Sequence, residues 1–465
     1  MRKSTQKFGG KALALSAMTI AMLTATAANA AKTDPSELSA LIDNGKLSLL
    51  SMTHAYGEKQ GKKFGSTHDA AQGFKLKFDS GFYGSKDFGV GFGISGDAVF
   101  KIDTHRNALD FNKHDSHMLN QVNCTAKNCE DTAGYYKISE LYLKAQAGAD
   151  KKRRVTGEVG YGRFDAGVIV SYAPDGMPIF PTSFEGARIK ARWDDFSFAG
   201  SYVTGVKKNA QQHINKLYAD KKFEKNSPEL DYVASFGVKQ KLGSINLGFD
   251  YAVAESYKQR YAAFGNYTLK LDNKAKVKFE AAYTENSYSG SKFDEHVKIK
   301  KSGVFADQDK ANLTSLRVQY IDGPLKLKAS YSTVGGNKAA FERYMSTLAG
   351  KPYQYATGYA EKWRRQGAKA YALQTQYDMR KSGIDNAFFK NFFFDYKFVY
   401  GETPLGGLNK NNVGNGIEHV FKVRYYLPLE NFKGAKITGR LGKFFGDKGT
   451  MDKNKMLLEL SLPIL

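Results

Sequence analysis

The chain has 465 residues, with 69 Lys and Arg against 46 Asp and Glu, a mean hydropathy of −0.47 and only two cysteines. No stretch after the N-terminal region reaches the ~18 apolar residues that a transmembrane helix needs, which excludes a helical membrane protein. Two cysteines exclude a disulfide-built scaffold. The basic excess would suit a nucleic-acid binder, but the N-terminus argues for export, where nucleic acid is rarely met.

Arg2, Lys3, Lys7 and Lys11 form a basic stretch, Ala12 to Leu23 is largely apolar, and Ala28-Asn29-Ala30 offers small residues at a cleavage site. This predicts a secretory signal peptide over residues 1–30. It holds four bases and no acids, so residues 31–465 would carry 65 bases against 46 acids, a net charge of +19.

From residue 31 onward one rhythm repeats. Segments of about ten residues alternate apolar and polar side chains. In Ala187-Arg188-Ile189-Lys190-Ala191-Arg192-Trp193, the alanines, Ile189 and Trp193 share one face and the three bases the other. Eighteen such strands are predicted, starting near Lys46, Gly73, Phe88, Gly134, Arg153, Phe184, Phe196, Leu230, Ser244, Arg260, Ala275, Ala311, Leu325, Gly367, Phe392, Ile417, Ala435 and Asn454. All ten prolines fall outside strand interiors. With no helices to cover the apolar faces, the pattern fits lipid outside and water inside. The expectation is a single domain, 31–465, forming a closed 18-stranded antiparallel transmembrane β-barrel with short periplasmic turns and long external loops.

The connectors alternate accordingly. Tyr83–Asp87, Asp150–Lys152, Asp194-Asp195, Asp272-Asn273 and Asp322-Gly323-Pro324 read as tight turns. Ala55–Gln72, Thr104–Ala133, Asp165–Ser183, Val206–Glu229, Asn286–Lys310 and Val334–Gln366 read as external loops. Two connectors break the rule: the one after the ninth strand is short, and Arg380–Asn391 is long for a periplasmic turn. Cys124 and Cys129 lie in the second loop, where a small disulfide is the simplest reading in an oxidising compartment. His105, His114 and His117 precede them, but a metal site would need more ligands and none is expected.

On the apolar faces, Phe74, Phe78, Phe88, Phe92, Phe249, Tyr251, Phe279, Tyr283, Phe392, Phe394, Tyr396, Phe398 and Tyr400 alternate in phase with Leu and Val, as lipid-facing girdle residues do. The opposite faces carry Lys75, Lys77, Arg188, Lys190, Arg192, Lys276, Lys278, Arg317, Lys326, Lys328, Lys422, Arg424, Lys436 and Arg440, with Asp79, Glu158, Asp250, Glu280, Asp395, Glu418 and Glu459 between them. A lipid-facing Lys or Arg costs about 2–4 kcal/mol at the midplane, so these belong to the lumen. From Arg188 to Arg440 they form a candidate basic ladder for a permeating carboxylate.

The third long connector is stiffened by proline and glycine: Asp175-Gly176-Met177-Pro178-Ile179-Phe180-Pro181-Thr182-Ser183-Phe184-Glu185-Gly186. A stiff loop folded into a barrel can form a constriction, and Asp175, Gly176, Pro178, Phe180, Pro181, Thr182 and Ser183 are its candidate residues. The segment resembles the Asp-Gly…Leu-Pro-x-Thr-Phe-x-Gly stretch of the OprD-like outer-membrane porins. Gln72–Phe82, Phe88-Gly89-Val90-Gly91 and the Leu460-Ser461-Leu462-Pro463-Ile464-Leu465 ending are similar to that family too. The resemblance implies a substrate-selective channel for small carboxylates, amino acids or, in a chitoporin branch, chitooligosaccharides, with the third and seventh loops narrowing a basic lumen. The chain departs from the family at Glu185, where a base is usual, and in using Lys for much of the ladder.

The expected function is passive diffusion of small anionic solutes across the outer membrane of a Gram-negative bacterium. No cofactor and no nucleic acid is expected. The partners are small-molecule permeants, outer-membrane lipid and lipopolysaccharide, in a monomer or homotrimer. An oligosaccharide channel of chitoporin or maltoporin type is the alternative, which would place aromatics inward on consecutive strands. An enzyme is not expected: Glu418 and His419 are the one pair resembling a catalytic dyad, and neighbours in a strand point to opposite faces.

Overall fold

A computed structural model describes residues 34–60, 66–85, 87–107, 119–124, 129–148, 150, 152–162, 179–180, 182–207, 213–218, 228–300, 310–336, 353–360, 363, 367–403, 414–446 and 452–464. The predicted signal peptide and Asp175, Gly176, Pro178 and Pro181 lie outside them.

Eighteen long antiparallel strands form the barrel: β1 Lys46–Gln60, β2 Ser66–Asp79, β3 Phe88–Asn107, β4 Tyr135–Ala147, β5 Arg153–Gly162, β6 Ser183–Trp193, β7 Phe196–Lys207, β8 Val233–Leu242, β9 Ile245–Ala254, β10 Lys258–Lys270, β11 Lys276–Tyr288, β12 Lys310–Asp322, β13 Leu325–Gly336, β14 Lys369–Asp378, β15 Phe392–Glu402, β16 Gly416–Tyr426, β17 Lys436–Gly446 and β18 Lys453–Pro463. Each pairs with the next. The sheet closes where β1 pairs with β18, from Leu50 opposite Pro463 to Gln60 opposite Lys453. Three short strands, Tyr83–Gly84, Asn215–Tyr218 and Glu229–Leu230, extend the rims. Closure leaves no backbone edge facing lipid, which a spanning sheet requires.

The side-chain distribution is inverted relative to a soluble domain. Apolar side chains such as Phe74, Ile94, Leu143, Phe249, Phe279, Leu316, Leu373, Tyr396, Phe421 and Leu458 are exposed on the outer wall. Asp97, Glu140, Asp250, Glu280, Gln319 and Glu418 are buried on the inner one. His419 points outward, bonded to the Tyr396 hydroxyl at 2.8 Å, while its neighbour Glu418 points in. The start of β1 and the end of β18 lie at the short-turn rim: Lys46 is opposite Asp79, and the Ile464 amide donates to the Leu49 carbonyl at 2.7 Å. A short helix, α1 (Ala40–Asp43), packs beneath the same rim, where the Gly81 amide donates to the Leu41 carbonyl at 2.8 Å.

Two predicted loops are corrected. Most of Ala55–Gln72 is strand, because β1 runs to Gln60 and β2 begins at Ser66, leaving a connector of residues 61–65. Likewise β3 continues to Asn107, and its loop contains a separate ribbon of Asn120–Cys124 paired with Cys129–Ala133. Above the membrane both faces of a strand meet water, so apolar alternation fades there although the backbone ladder continues. The Asn286–Lys310 loop holds a helix, α2 (Ser291–Lys300). The connector after β9 is short as read, residues 255–257.

The ribbon's register sets Cys124 directly opposite Cys129. Cross-strand partners are 4.5–5.5 Å apart at Cα, within the disulfide range. The pair is therefore expected to be oxidised in exported protein, and alkylation without reductant should find no thiol. So small a ring adds less than the ~3 kcal/mol of a 15-residue loop, so Cys124→Ser should keep the barrel's thermal midpoint within a few degrees.

Candidate permeation lumen

A polar inner wall cannot pack against itself across an 18-stranded barrel, so whatever fills the lumen must come from the loops. The seventh loop, between β13 and β14, does this with residues 353–360 and 363. The Glu418 carboxylate, on β16 and fully buried, accepts the amides of Tyr359 and Ala360 through Oε1 at 2.7 and 2.8 Å. Lys397 on β15 donates to the carbonyl of Thr357 at 2.6 Å and of Tyr355 at 3.4 Å. The Ser332 hydroxyl accepts the Ala356 amide at 3.0 Å, and Tyr353 donates to Asp250 at 2.6 Å. Five strands thus hold the loop backbone and its tip, counting β17, whose Arg440 guanidinium stacks on Tyr359 at 3.8 Å. Arg317 stacks on Tyr355 at 4.3 Å. Trp363 is buried against Phe444 and Gly401, where any Cβ would overlap the indole.

The third loop is fixed against β1–β4. Ile179 and Phe180 are buried over Gly73 of β2, which has room for them only because it lacks a Cβ. Thr182 and Ser183 are buried as the chain enters β6, and the Ser183 hydroxyl donates to the Ser139 carbonyl. A β-bulge makes this contact possible. Ser95 of β3 pairs with Glu140 and Gly96 with Ile138, so Ser139 is the extra residue and both Ser139 and Glu140 turn inward. Glu140 then accepts from Lys75 at 2.7 Å and Lys77 at 2.8 Å, while Ser139 donates to Asp97 at 2.8 Å.

All twelve ladder residues lie on the inward phase, and each is within five residues of the periplasmic end of its strand. Their contacts divide them. Arg188 is paired with Glu158 at 2.5 Å; Lys278 with Glu280 at 2.9 Å; Arg317 bonds the other oxygen of Glu280, beside Gln319. Lys328 reaches Gln374 at 3.4 Å. Arg424 donates to the Tyr426 hydroxyl at 2.9 Å, and both it and Lys422 lie over the Phe393 ring, at 5.7 and 5.9 Å. Asp395, between them and Lys328, is held by Gln374 at 2.6 Å and Gln376 at 3.0 Å. Lys190 and Arg192 are exposed to the lumen, as is Lys276; Lys326 and Lys436 are half-buried near the lower rim. Sequence reasoning misses Lys397 and Glu140. Lys397 alternates in phase with Asp395, so the period-two pattern could have found it; nothing in the sequence announces the bulge that turns Glu140 inward.

A closed barrel with a water-facing charged wall and loops held inside it is an outer-membrane diffusion channel. The chain belongs to the Gram-negative porin family, whose sequence profile matches residues 14–384. A search of curated proteins finds no match. Among solved structures, Acinetobacter baumannii OccAB1 superposes with a TM-score of 0.72 at 17% identity, covering 93% of this chain and 100% of that one. Pseudomonas aeruginosa OccK8 (OprE) gives 0.71 at 17% identity, with 91% and 100% covered. P. aeruginosa OpdK, crystallised with vanillate, gives 0.69 at 13% identity, with 91% and 99% covered. The fold is that of the OprD-like porins, as the loop-three and strand motifs implied.

Glu418→Ala would leave two buried amides without acceptors, at about 1–3 kcal/mol each. The expected outcome is a seventh loop that leaves its seat: single-channel conductance in planar bilayers rises and becomes noisier, while the β-sheet signal in circular dichroism stays unchanged. Glu418→Gln, which retains one acceptor oxygen, should show a smaller change.

Proposed function

We propose that the protein is an anion-preferring porin for small carboxylate-bearing solutes, which pass the third and seventh loops and then meet the basic ladder on the periplasmic side. The observation that supports this most is the balance of charge at that depth. The twelve ladder bases face seven inward carboxylates, Asp79, Glu158, Asp250, Glu280, Asp378, Asp395 and Glu459. Five of these are already engaged by bases or amides of the wall and its turns: Asp79 by Lys144, Glu158 by Arg188, Glu280 by Lys278 and Arg317, Asp378 by Arg380, and Asp395 by Gln374 and Gln376. In a pore with low-dielectric walls such an excess focuses the field and raises the local anion concentration. Charges lining a narrow passage act within the ~8 Å over which physiological salt screens, so they keep their effect.

The two sides of the ladder face each other. In an 18-stranded barrel β6 stands opposite β15, so Arg188, Lys190 and Arg192 look across at Lys397 and, one strand on, at Lys422 and Arg424. A carboxylate can be passed between them by charge-assisted hydrogen bonds without full release to water. The vanillate in the OpdK crystal is a small carboxylate of this kind. The export signal and the rim bases that would meet lipopolysaccharide phosphates fit the same reading.

Reversal potentials of the reconstituted protein under a salt gradient should show anion preference. Replacing Arg188, Lys190 and Arg192 together by Gln should move the potential toward cation preference and slow uptake of small carboxylates. Loss of Arg188 also strips Glu158 of its counter-ion, so the shift should exceed that of Lys190→Gln with Arg192→Gln. An unchanged ion preference would remove the ladder as the selecting element.

A further inference from the structure

Most periplasmic turns of the barrel are short and polar, such as Asp194-Asp195 and Gly243-Ser244. The β14–β15 turn, residues 379–391, is not. It contains two 3₁₀ turns, Met379–Lys381 and Phe389–Asn391, and is held rigid by its own side chains. The Asn386 carboxamide oxygen accepts the amides of Phe388 and Phe389 at 3.0 and 3.1 Å, and the Asn391 side chain donates to the Ala387 carbonyl at 2.7 Å. What this built turn presents is apolar: Phe388 and Phe389 are 55% and 52% exposed.

The direction in which the rings point is decided by what they touch. Phe388 packs on Phe392 at 5.2 Å and on Tyr425 at 5.3 Å, and Phe392 stacks on Phe394 at 5.6 Å. Phe392, Phe394 and Tyr425 belong to the outward, lipid-facing phase of β15 and β16. The turn therefore folds back against the outer wall at the level of the strand ends, rather than hanging into the periplasm. The neighbouring β16–β17 turn adds Leu429, 42% exposed. The charge around the rings is basic: Arg380 is paired with Asp378 at 2.7 Å, which leaves Lys381 and Lys390, both exposed, against Asp385.

We propose that this turn is a phospholipid-binding foot: Phe388, Phe389 and Leu429 enter the glycerol–acyl boundary of the periplasmic leaflet, and Lys381 and Lys390 hold lipid phosphate. Aromatic rings favour that depth because one face is apolar and the headgroups lie just beyond. Lysine stems can lie along the apolar wall and place their ammonium groups at the phosphates. The foot is continuous with the lipid-facing belt and occupies one sector of the rim, so it holds the barrel to the inner leaflet on the side of β14–β17 only.

The test uses the full chain carrying Trp193→Phe, which removes the lipid-facing indole and leaves Trp363 enclosed in the lumen. Phe389→Trp is added, and the protein is reconstituted in phosphatidylcholine–phosphatidylglycerol vesicles whose acyl chains are brominated near the glycerol or near the chain end. The expected result is strong quenching of the new indole by the shallow bromines, weaker quenching by the deep ones, and none of either for the parent Trp193→Phe protein. An indole quenched by aqueous iodide but by neither lipid would overturn the proposal, as would self-association buried at this site, seen as protection from both. Phe388→Trp repeats the measurement should Phe389→Trp lose conductance. Lys381→Gln with Lys390→Gln should lower the phosphatidylglycerol retained on the detergent-extracted barrel several-fold by native mass spectrometry, at unchanged conductance; equal retention would remove the phosphate-holding role.

Discussion

Hydrocarbon offers no partner for a backbone amide, and that one constraint organises the molecule. Each unpaired N–H or C=O would cost several kcal/mol in lipid, so the sheet must close, and it does so between its first and last strands. Closure fixes which side chains face out. Because neighbouring residues alternate, an outer wall of Phe, Leu, Ile and Tyr obliges the inner one to take every second position. The acids, amides and bases that would destabilise a soluble core are then free to line the lumen.

The same division creates a packing problem that the loops answer. A wall of charged and hydroxyl side chains gives no apolar centre, so burial comes in patches where a loop meets the wall. One patch joins Ala356, Ala360 and Trp363 of the seventh loop to Ala370, Ala372, Val399 and Phe444. Another joins Ile179 and Phe180 of the third loop to Tyr56, Ala71 and Val99. Such small patches would hold a loop weakly alone. Buried hydrogen bonds add specificity, because a carboxylate such as Glu418, with no exposure, is costly unless its acceptor capacity is filled. The two loop amides both bond its Oε1, and the loop's position follows from the wall's need as much as from its own sequence.

Much of this is legible in the order of residues along the chain. Period-two alternation marks the strands and their faces, which sets Arg188, Lys278 and Lys422 on the inward phase, and proline and Asp-Gly turns locate the connectors. What alternation cannot see is a place where it is suspended. Ala55–Gln72 reads as loop because strands standing in water need no apolar face. Ser139 and Glu140 read as ordinary neighbours because a bulge is an event of pairing. The partners of the seventh loop are unreadable for a further reason. Glu418 and Lys397 look like any other lumen charges, and only the fold shows that they bind backbone rather than solute.

That last distinction separates two kinds of charge within one wall. Glu418, Lys397 and Asp250 hold the seventh loop, whereas Lys190 and Arg192 are exposed to the lumen. Arg317, which also pairs with Glu280, and Arg440 touch the seventh loop as well. Each guanidinium carries a loop tyrosine on one face, Tyr355 or Tyr359, which fixes its plane while its charge stays in the ladder. A stacked arginine loses less freedom on meeting a carboxylate than a lysine would. Of the five arginines among the ladder residues, these two have their planes set by the seventh loop. Because the tyrosines that fix them come from the seventh loop, a shift of that loop would release both guanidinium groups as well.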